Sequence, residues 1–208
     1  MHMDTGPELT LPDDEAGILR KRYATARVIL EYGSGGSTWV AGMQAGKFVM
    51  SVESDRMFAL RLQSRVDAAG LPSPVVIHHA DIGPTGDWGR AIDDSEWRKY
   101  CNYPFSIWAE PYFRDPDIIF IDGRFRAACL SAAVIKTRKP VTVLFDDYYT
   151  RPAYRSVEKV IKPTQRIGRM AEFRLIPGNN VSLAAEKLPY FLTKATFSSI
   201  SPDYSKTY

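Results

Sequence analysis

The stretch VILEYGSGGST, residues 28–38, decides the fold of this chain. It is typical of an apolar strand that ends in an acid and enters a glycine-rich turn and a helix. Gly33 and Gly35 let the backbone approach a ligand closely, and the free N–H groups of the helix face the same crevice. A second predicted strand ends in Glu53, about twenty residues after Gly33, where a carboxylate can bind a ribose diol. The stretch therefore predicts a nucleoside pocket.

Strands and helices alternate along most of the chain. Apolar runs predict strands at residues 27–31, 47–53, 74–78, 117–122 and 141–145. Helices are predicted at residues 12–23, 38–45, 56–69, 126–137 and 152–161. We expect residues 170–176 and a segment after Asn180 to close the sheet through a turn at 177–180. Because such alternation requires parallel strands with right-handed crossovers, we predict an α/β fold, a doubly wound, mostly parallel seven-stranded sheet in one domain, 1–208.

One segment interrupts this alternation. Residues 83–114, between the third and fourth strands, form a connection far longer than usual, and long loops in compact domains tend to be functional. The segment is rich in aromatic residues: Trp88, Trp97, Tyr100, Tyr103, Phe105, Trp108, Tyr112 and Phe113. We expect an insertion that acts as a lid over the crevice, forms a small core of its own or makes a dimer contact.

Composition narrows the function classes. A chain of 208 residues can bury a core without disulfides, and its net charge of +3 is too small to indicate a nucleic-acid partner. Cys101 and Cys129 form no zinc-binding pattern, so we expect reduced thiols. No apolar run approaches the roughly twenty residues of a membrane helix. We expect a cytoplasmic protein without a membrane partner, and homo-oligomerisation stays open.

The glycine turn distinguishes between two cofactor classes. A dinucleotide fingerprint has a third glycine where this chain has Thr38. The string EYGSGGST instead resembles the first motif of class I S-adenosylmethionine-dependent methyltransferases, although Ser37 stands at that family's usual third glycine. The resemblance implies a Rossmann-like methyltransferase fold and S-adenosylmethionine as cofactor. Its binding residues would be Glu31, Gly33, Ser34, Gly35 and, for the ribose, Glu53.

The segment after the third strand extends this resemblance. His79-Ala80-Asp81-Ile82 is similar to the methyltransferase segment whose acid accepts a hydrogen bond from the adenine amino group. The resemblance gives that role to Asp81 and gives packing against the adenine ring to Ile82. A solvated turn residue is the alternative for Asp81.

Three acids follow the fourth and fifth strands. Asp122, Asp146 and Asp147 should converge because these strands are neighbours in a doubly wound sheet, and their repulsion would be relieved by protonation or by Mg²⁺ or Ca²⁺. The layout resembles metal-dependent O-methyltransferases of the catechol and caffeoyl-CoA types, and the string FDDY at 145–148 resembles the macrocin type. The three acids are therefore candidate catalytic residues and metal ligands. A metal-free polar site and simple helix capping are the alternatives.

The expected general base is missing. The related families have a histidine or lysine where this chain has Phe125. Either the metal or Asp146 would then have to deal with the proton of the acceptor hydroxyl, or the substrate needs no base. Nearby guanidinium groups suit an anionic substrate, but ion pairs with the acids would explain them equally well. The candidate substrate-binding residues are Arg124, Arg126, Arg151, Tyr148 and Trp88.

These observations favour methyl transfer from S-adenosylmethionine to a small molecule, with a hydroxyl oxygen as acceptor. Aminopropyl transfer and a nicotinamide-dependent reaction are alternatives for the same pocket. A protein that binds an adenosyl ligand without catalysis is a third, and Phe125 is the residue that supports it. An RNA methyltransferase is supported only by scattered basic residues, which are more typical of a solvated surface: Lys159, Lys162, Arg166 and Arg169.

Overall fold

A computed structural model of the chain describes residues 6–199. Its strands are β1 (Val28–Tyr32), β2 (Phe48–Glu53), β3 (Val75–His79), β4 (Ile118–Ile121), β5 (Val141–Phe145), β6 (Gln165–Ile167) and β7 (Met170–Leu175). They form one sheet in the order β3-β2-β1-β4-β5-β7-β6. The first five strands pair in parallel, and β7 is antiparallel to both β5 and β6. The predicted doubly wound, mostly parallel seven-stranded sheet is confirmed.

Residues 6–199 form six α-helices: α1 (Asp13–Thr25), α2 (Gly36–Gly42), α3 (Arg56–Ala69), α4 (Asn102–Phe105), α5 (Arg126–Lys136) and α6 (Val181–Leu192). Local signals explain the ends of α3. The Asp55 carboxylate accepts a 2.8 Å hydrogen bond from the Phe58 N–H, and Gly70 ends the helix in the left-handed conformation at φ 58°.

Two apolar layers cover the two faces of the sheet. Residues of α1, α2 and α3, such as Leu19, Trp39 and Leu62, form one core with the sheet. The other core contains residues of α5, α6 and the insertion, including Tyr103 and Trp108. Part of the 83–114 segment therefore packs in the second layer. The C-terminal ends of strands β1, β2 and β4 lie at the sheet edge between the two layers.

The end of the chain differs from the sequence prediction. The segment after Asn180 is helix α6 and not a strand, because its run of helix formers places Ala184 and Phe191 on one buried face. The remaining strand is the short, polar edge strand β6, which the sequence analysis missed. The predicted helix at 152–161 is a 3-10 helix, Pro152–Lys159. Within residues 6–199, no helix combines the length and apolar character needed to cross a membrane.

Candidate functional site

A cavity of about 400 Å³ opens at the carboxyl ends of β2, β1 and β4. A cavity of this volume is large enough for a small-molecule ligand. Its floor comes from the turns that follow these strands, and its walls come from the insertion and from residues 7–11. Because β1 lies between β2 and β4, the residues from the strand ends fall in a row: Glu53, then Gly33 and Gly35, then Asp122, Gly123 and Arg124.

The turns after β1 and β4 touch each other through backbone atoms. Gly33 has φ 106°, and a Cβ atom on it would lie 2.8 Å from the Gly123 Cα. A Cβ atom on Gly123 would in turn collide with the Tyr103 hydroxyl. The Gly33 N–H donates a 2.9 Å hydrogen bond to the Val52 carbonyl, which fixes the turn against β2. Both glycines are therefore required by close packing, and Gly33 is required by its conformation as well.

Glu31 lies beneath the glycine turn and does not line the cavity, contrary to the expectation that it faces a ligand. Its side chain is fully buried and accepts 2.5 Å hydrogen bonds from the Tyr23 and Thr38 hydroxyls. Burial raises the pKa of Glu31, and these two hydrogen bonds lower it again. The Thr38 hydroxyl in turn accepts a 3.0 Å bond from the Gly35 N–H. The acid thus holds the turn in shape from below.

Glu53 faces the cavity at the end of β2. Its Oε1 accepts hydrogen bonds from the backbone N–H groups of Ser54 at 2.7 Å and Asp55 at 2.8 Å. Burial raises the pKa of the Glu53 carboxyl, while these backbone donors lower it. The bonds fix the carboxylate direction, so its position in the cavity does not depend on a ligand.

The insertion reaches the site at Trp88 and Gly89. The Ser54 hydroxyl donates a 2.7 Å hydrogen bond to the Gly89 carbonyl, and a Cβ atom on Gly89 would lie 2.9 Å from Glu53 Oε1. Trp88 precedes this contact, lines the cavity and is 80% exposed. Its φ of 60° is rare for a bulky residue and costs about 1 kcal/mol or more. Trp88 thus belongs to the Glu53 end of the cavity and not to the Asp122 end.

Asp81 and Ile82 do not join the site. Asp81 is exposed, accepts a 2.9 Å hydrogen bond from the Gly83 N–H and lies 3.3 Å from Lys99 Nζ. The Gly83 hydrogen bond is the main cause that lowers the pKa of Asp81, and Lys99 lowers it further. The Ile82 side chain is buried in the core and is absent from the cavity wall. Asp55, Phe58 and Arg61 line this end of the cavity instead, which the sequence analysis did not predict.

The three acids after β4 and β5 meet as predicted. Asp122, Asp146 and Asp147 each have a carboxylate oxygen within 4.8 Å of the others. A guanidinium group lies among them. Arg126 is 2.8 Å from Asp122 and 3.4 Å from Asp147, and it donates a 2.8 Å hydrogen bond to the Asp146 carbonyl. Arg126 is buried and does not line the cavity, so it neutralises the acids and does not face a substrate.

Two more arginines complete this acid–arginine cluster. Arg169 donates to both carboxylate oxygens of Asp146, at 3.0 and 2.7 Å, and Arg151 lies 2.8 Å from Asp147. The three acids therefore face three arginines. A divalent cation needs free carboxylate lone pairs, and five of the six carboxylate oxygens of these acids lie within 3.3 Å of a guanidinium nitrogen. The residues present do not fit a Mg²⁺ or Ca²⁺ ion without displacement of these arginines.

Asp122 is the member of the cluster that reaches the cavity. Burial raises the pKa of Asp122 from 3.8 to about 6; the Arg126 charge opposes this shift, while Asp146 and Asp147 add to it. Asp146 is 1% exposed and held by Arg169, and neither it nor Asp147 lines the cavity. Proton exchange with a ligand in the cavity is therefore open to Asp122 alone of the three.

The remaining predicted residues separate into two groups. Arg124 lines the cavity next to Asp122, whereas Arg151 and Tyr148 do not. Tyr148 is fully buried, packs edge-on against Phe145, and its hydroxyl donates a 2.9 Å bond to Glu158, so a substrate cannot reach it. Phe125, at the expected base position, packs against Tyr100 with ring centroids 4.9 Å apart.

The sequence analysis also missed the segment of residues 7–11. This segment passes over the start of α2 and lines the cavity. A Cβ atom on Gly36 would collide with the Glu8 carbonyl oxygen, so the glycine allows the segment to approach. Gly36 follows Gly35 directly, and this doubled glycine was the available signal that a second chain segment comes close.

No protein-family model matches the chain, and no curated protein matches it. The structure is similar to a methyltransferase-like protein from Silicibacter pomeroyi, with 43% identity and a TM-score of 0.85 over 91% of this chain and 99% of that one.

Two more distant structures share the fold. A methyltransferase from Geobacter sulfurreducens is 13% identical, with a TM-score of 0.51 over 80% of both chains. An S-adenosylmethionine-dependent O-methyltransferase from Thermotoga maritima is 15% identical, with a TM-score of 0.51 over 81% of this chain and 67% of that one.

Proposed function

Because this chain belongs to the class I S-adenosylmethionine-dependent methyltransferase family, we propose that it transfers a methyl group from that donor to a hydroxyl oxygen of a small molecule. One observation carries the proposal. Glu53, the Gly33 turn and Asp122 line a single cavity in that order along the sheet. This order places a carboxylate suited to a ribose, a glycine turn and a titratable acid side by side.

The donor would occupy the β2 and β1 part of the cavity. Glu53, held by the N–H groups of Ser54 and Asp55, would accept hydrogen bonds from the ribose diol. The turn at Gly33 and Gly35 would lie along the methionine part, where its lack of side chains allows close approach. Trp88 would cover the adenosine, since it stands beside Glu53 with most of its indole ring exposed. When bound, S-adenosylmethionine supplies an electrophilic methyl group.

The acceptor would lie at the β4 end. We assign Asp122 as the general base that takes the proton from the acceptor hydroxyl. Its pKa of about 6 suits this role, because a base works best when its pKa lies near the working pH. The ion pair with Arg126 fixes the Asp122 carboxylate 2.8 Å from the guanidinium, which keeps its charge when Asp122 becomes protonated. Asp122 thus replaces the base that Phe125 cannot provide.

A divalent cation has no part in this proposal. Catechol-type relatives would use one to orient the acceptor and lower the pKa of its hydroxyl. In this chain the corresponding acids bind Arg126, Arg151 and Arg169. We therefore assign Asp146 and Asp147 to positioning Arg126 and Arg169, and not to metal binding or catalysis.

Calorimetry with S-adenosylhomocysteine tests the donor site. The wild-type protein should bind it, and Glu53→Gln should weaken binding about tenfold or more, because the variant loses charged acceptors for the ribose. Glu186→Gln, at an exposed position on α6, serves as the matched control and should bind normally. No binding by the wild-type protein would overturn the proposal.

A second assay tests transfer itself. Release of S-adenosylhomocysteine from S-adenosylmethionine is measured over a panel of hydroxylated small molecules. Release that is lost in Asp122→Asn, while donor binding persists, would support the assigned base.

A non-catalytic adenosyl-binding protein is the second candidate. The observation in its favour is Phe125, which packs against Tyr100 at the position of the usual base. Donor binding without turnover of any acceptor in the panel would favour it.

A further inference from the structure

Arg124 carries a positive charge at the acceptor end of the cavity. It lines the wall beside Asp122 and Gly123. Among residues 6–199, no carboxylate oxygen lies within 4.0 Å of its guanidinium, and its side chain makes one long hydrogen bond, 3.4 Å, to the Thr196 hydroxyl. An arginine with so few partners beside a cavity has donors free for a ligand.

A second guanidinium lies on a neighbouring segment. Arg124 donates its hydrogen bond to Thr196, and the next residue, Phe197, pairs with Ala91, which follows Arg90. Arg90 follows Gly89 in the insertion, and its charge lowers the pKa of Arg124, after burial and together with Arg126. The Nε atom of Arg90 is buried and has no hydrogen-bond partner in the part of the chain that the structure describes. Its Nη1 lies 3.4 Å from Asp87, whose other oxygen accepts a bond from the Ser198 hydroxyl. Because Arg90 does not line the cavity, it adds positive charge beside Arg124 and makes no direct contact with a ligand there.

The other arginines near the acids differ from this pair. Arg126, Arg151 and Arg169 each contact at least one aspartate within 2.8 Å, and together they balance the three acids. Arg124 and Arg90 contribute two positive charges, and Asp87, which lies 3.4 Å from Arg90, is the acid beside them. The two form a separate positively charged pair at the edge of the acceptor region.

We propose that Arg124, with the positive charge of Arg90 beside it, forms an oxyanion subsite that binds a carboxylate or phosphate group of the methyl acceptor. The proposal rests on the proposed function, because it assumes that the β4 end of the cavity receives the acceptor. A guanidinium fork matches both kinds of oxyanion, and charge-assisted bonds to it are about twice as strong as neutral ones. The anion would align the acceptor so that its hydroxyl meets Asp122. The substrate class is then a hydroxy acid or a phosphorylated alcohol.

The test uses acetate and inorganic phosphate as probes of the protein saturated with S-adenosylhomocysteine. Side-chain Nε–H signals of arginine are followed by NMR, and chloride at equal ionic strength is the blank. We expect one or both probes to shift the Arg124 and Arg90 signals saturably. Arg124→Gln should weaken this binding about tenfold or more. Arg138→Gln, an exposed arginine in the connection between α5 and β5, is the matched control.

The outcomes separate the two proposals. Failure of S-adenosylhomocysteine to bind would remove the proposed function, whereas normal donor binding with no probe response would remove the oxyanion subsite alone. Equal probe affinity in wild type and Arg124→Gln would also overturn the subsite. If Arg124→Gln does not fold, Arg90→Gln removes the neighbouring charge and should also weaken probe binding, and unchanged probe affinity in that variant would overturn the subsite. A response to acetate alone would indicate a carboxylate acceptor, and a response to phosphate alone would indicate a phosphorylated one.

Discussion

The guanidinium of Arg126 lies 2.8 Å from the carboxylate of Asp122. The same side chain also reaches Asp147 at 3.4 Å and the carbonyl of Asp146 at 2.8 Å. One buried cation thus contacts all three acids that follow β4 and β5. An arginine here balances charge as a metal ion would, but it cannot bind two substrate oxygens as ligands.

This relationship predicts how the protein responds to Mg²⁺. Millimolar Mg²⁺ should not raise the melting temperature of the wild-type protein, and EDTA should not change its affinity for S-adenosylhomocysteine. Arg126→Gln leaves the acids without their central cation and should lose about 3–5 kcal/mol of unfolding free energy. Because freed carboxylates attract a hard cation, Mg²⁺ should then stabilise the variant. Stabilisation of the wild type by Mg²⁺ would contradict the prediction.

Asp122 predicts a pH dependence of stability. Its pKa is raised from 3.8 to about 6, so the folded protein binds its proton more tightly than the unfolded chain does. Its contribution to the unfolding free energy is therefore present below pH 3.8 and is lost as the pH rises to about 6. Asp122→Asn should reduce this downward slope in denaturant titrations. Some slope should remain, because the pKa values of Glu31 and Glu53 are raised too. Identical slopes in the two proteins would rule out the assignment.

The pH dependence of the methyl-transfer rate should also reflect the protonation of Asp122. If Asp122 is the base, the rate of methyl transfer should rise with pH and reach half of its plateau near the Asp122 pKa of about 6. Asp122→Asn should remove this limb and lower the rate by about 10²–10⁴-fold while donor affinity persists. A pH profile that Asp122→Asn leaves unchanged would assign the proton to another group.

The contact between Gly33 and Gly123 predicts a strict requirement for glycine. Gly33→Ala adds a Cβ atom 2.8 Å from the Gly123 backbone, at a φ of 106° that alanine rarely adopts. We expect a loss of about 1–3 kcal/mol of unfolding free energy, as overpacking typically costs, and weaker binding of S-adenosylhomocysteine. Gly17→Ala is the control, since nothing lies within 4 Å of its added Cβ and alanine favours helix α1. Equal stability of Gly33→Ala and wild type would show that the turns can separate.

The sheet and the position of the site could be predicted from the sequence. Apolar runs such as residues 117–122 are typical of strands buried on both faces, and parallel strands bring their carboxyl ends to one edge. That rule placed Glu53, Gly33 and Asp122 together, and the cavity confirms their proximity. An acid can be placed at the end of a strand from the sequence and the strand order alone, without knowing the direction of its side chain.

The pairing of charges could not be predicted in this way. Arg169 meets Asp146 because the turn between β6 and β7 lies beside β5, and the sequence analysis missed β6. Glu31 and Tyr148 turn away from the cavity because their side chains form hydrogen bonds with Tyr23 and Glu158, which belong to neighbouring elements. Spacing along one chain does not specify such contacts.

The backbone conformation of Trp88 predicts that its replacement by glycine weakens ligand binding without a loss of stability. Its φ of 60° is unfavourable for tryptophan but not for glycine, and its exposed indole has little packing to lose. Trp88→Gly should therefore keep the unfolding free energy or raise it by about 1 kcal/mol, while S-adenosylhomocysteine binds about tenfold more weakly without the aromatic cover. Calorimetry and denaturant titration measure the two effects separately. Trp97→Gly, at another exposed tryptophan outside the cavity wall, should leave affinity unchanged. Equal affinity losses in both variants would show that the effect is general to the insertion and not specific to Trp88.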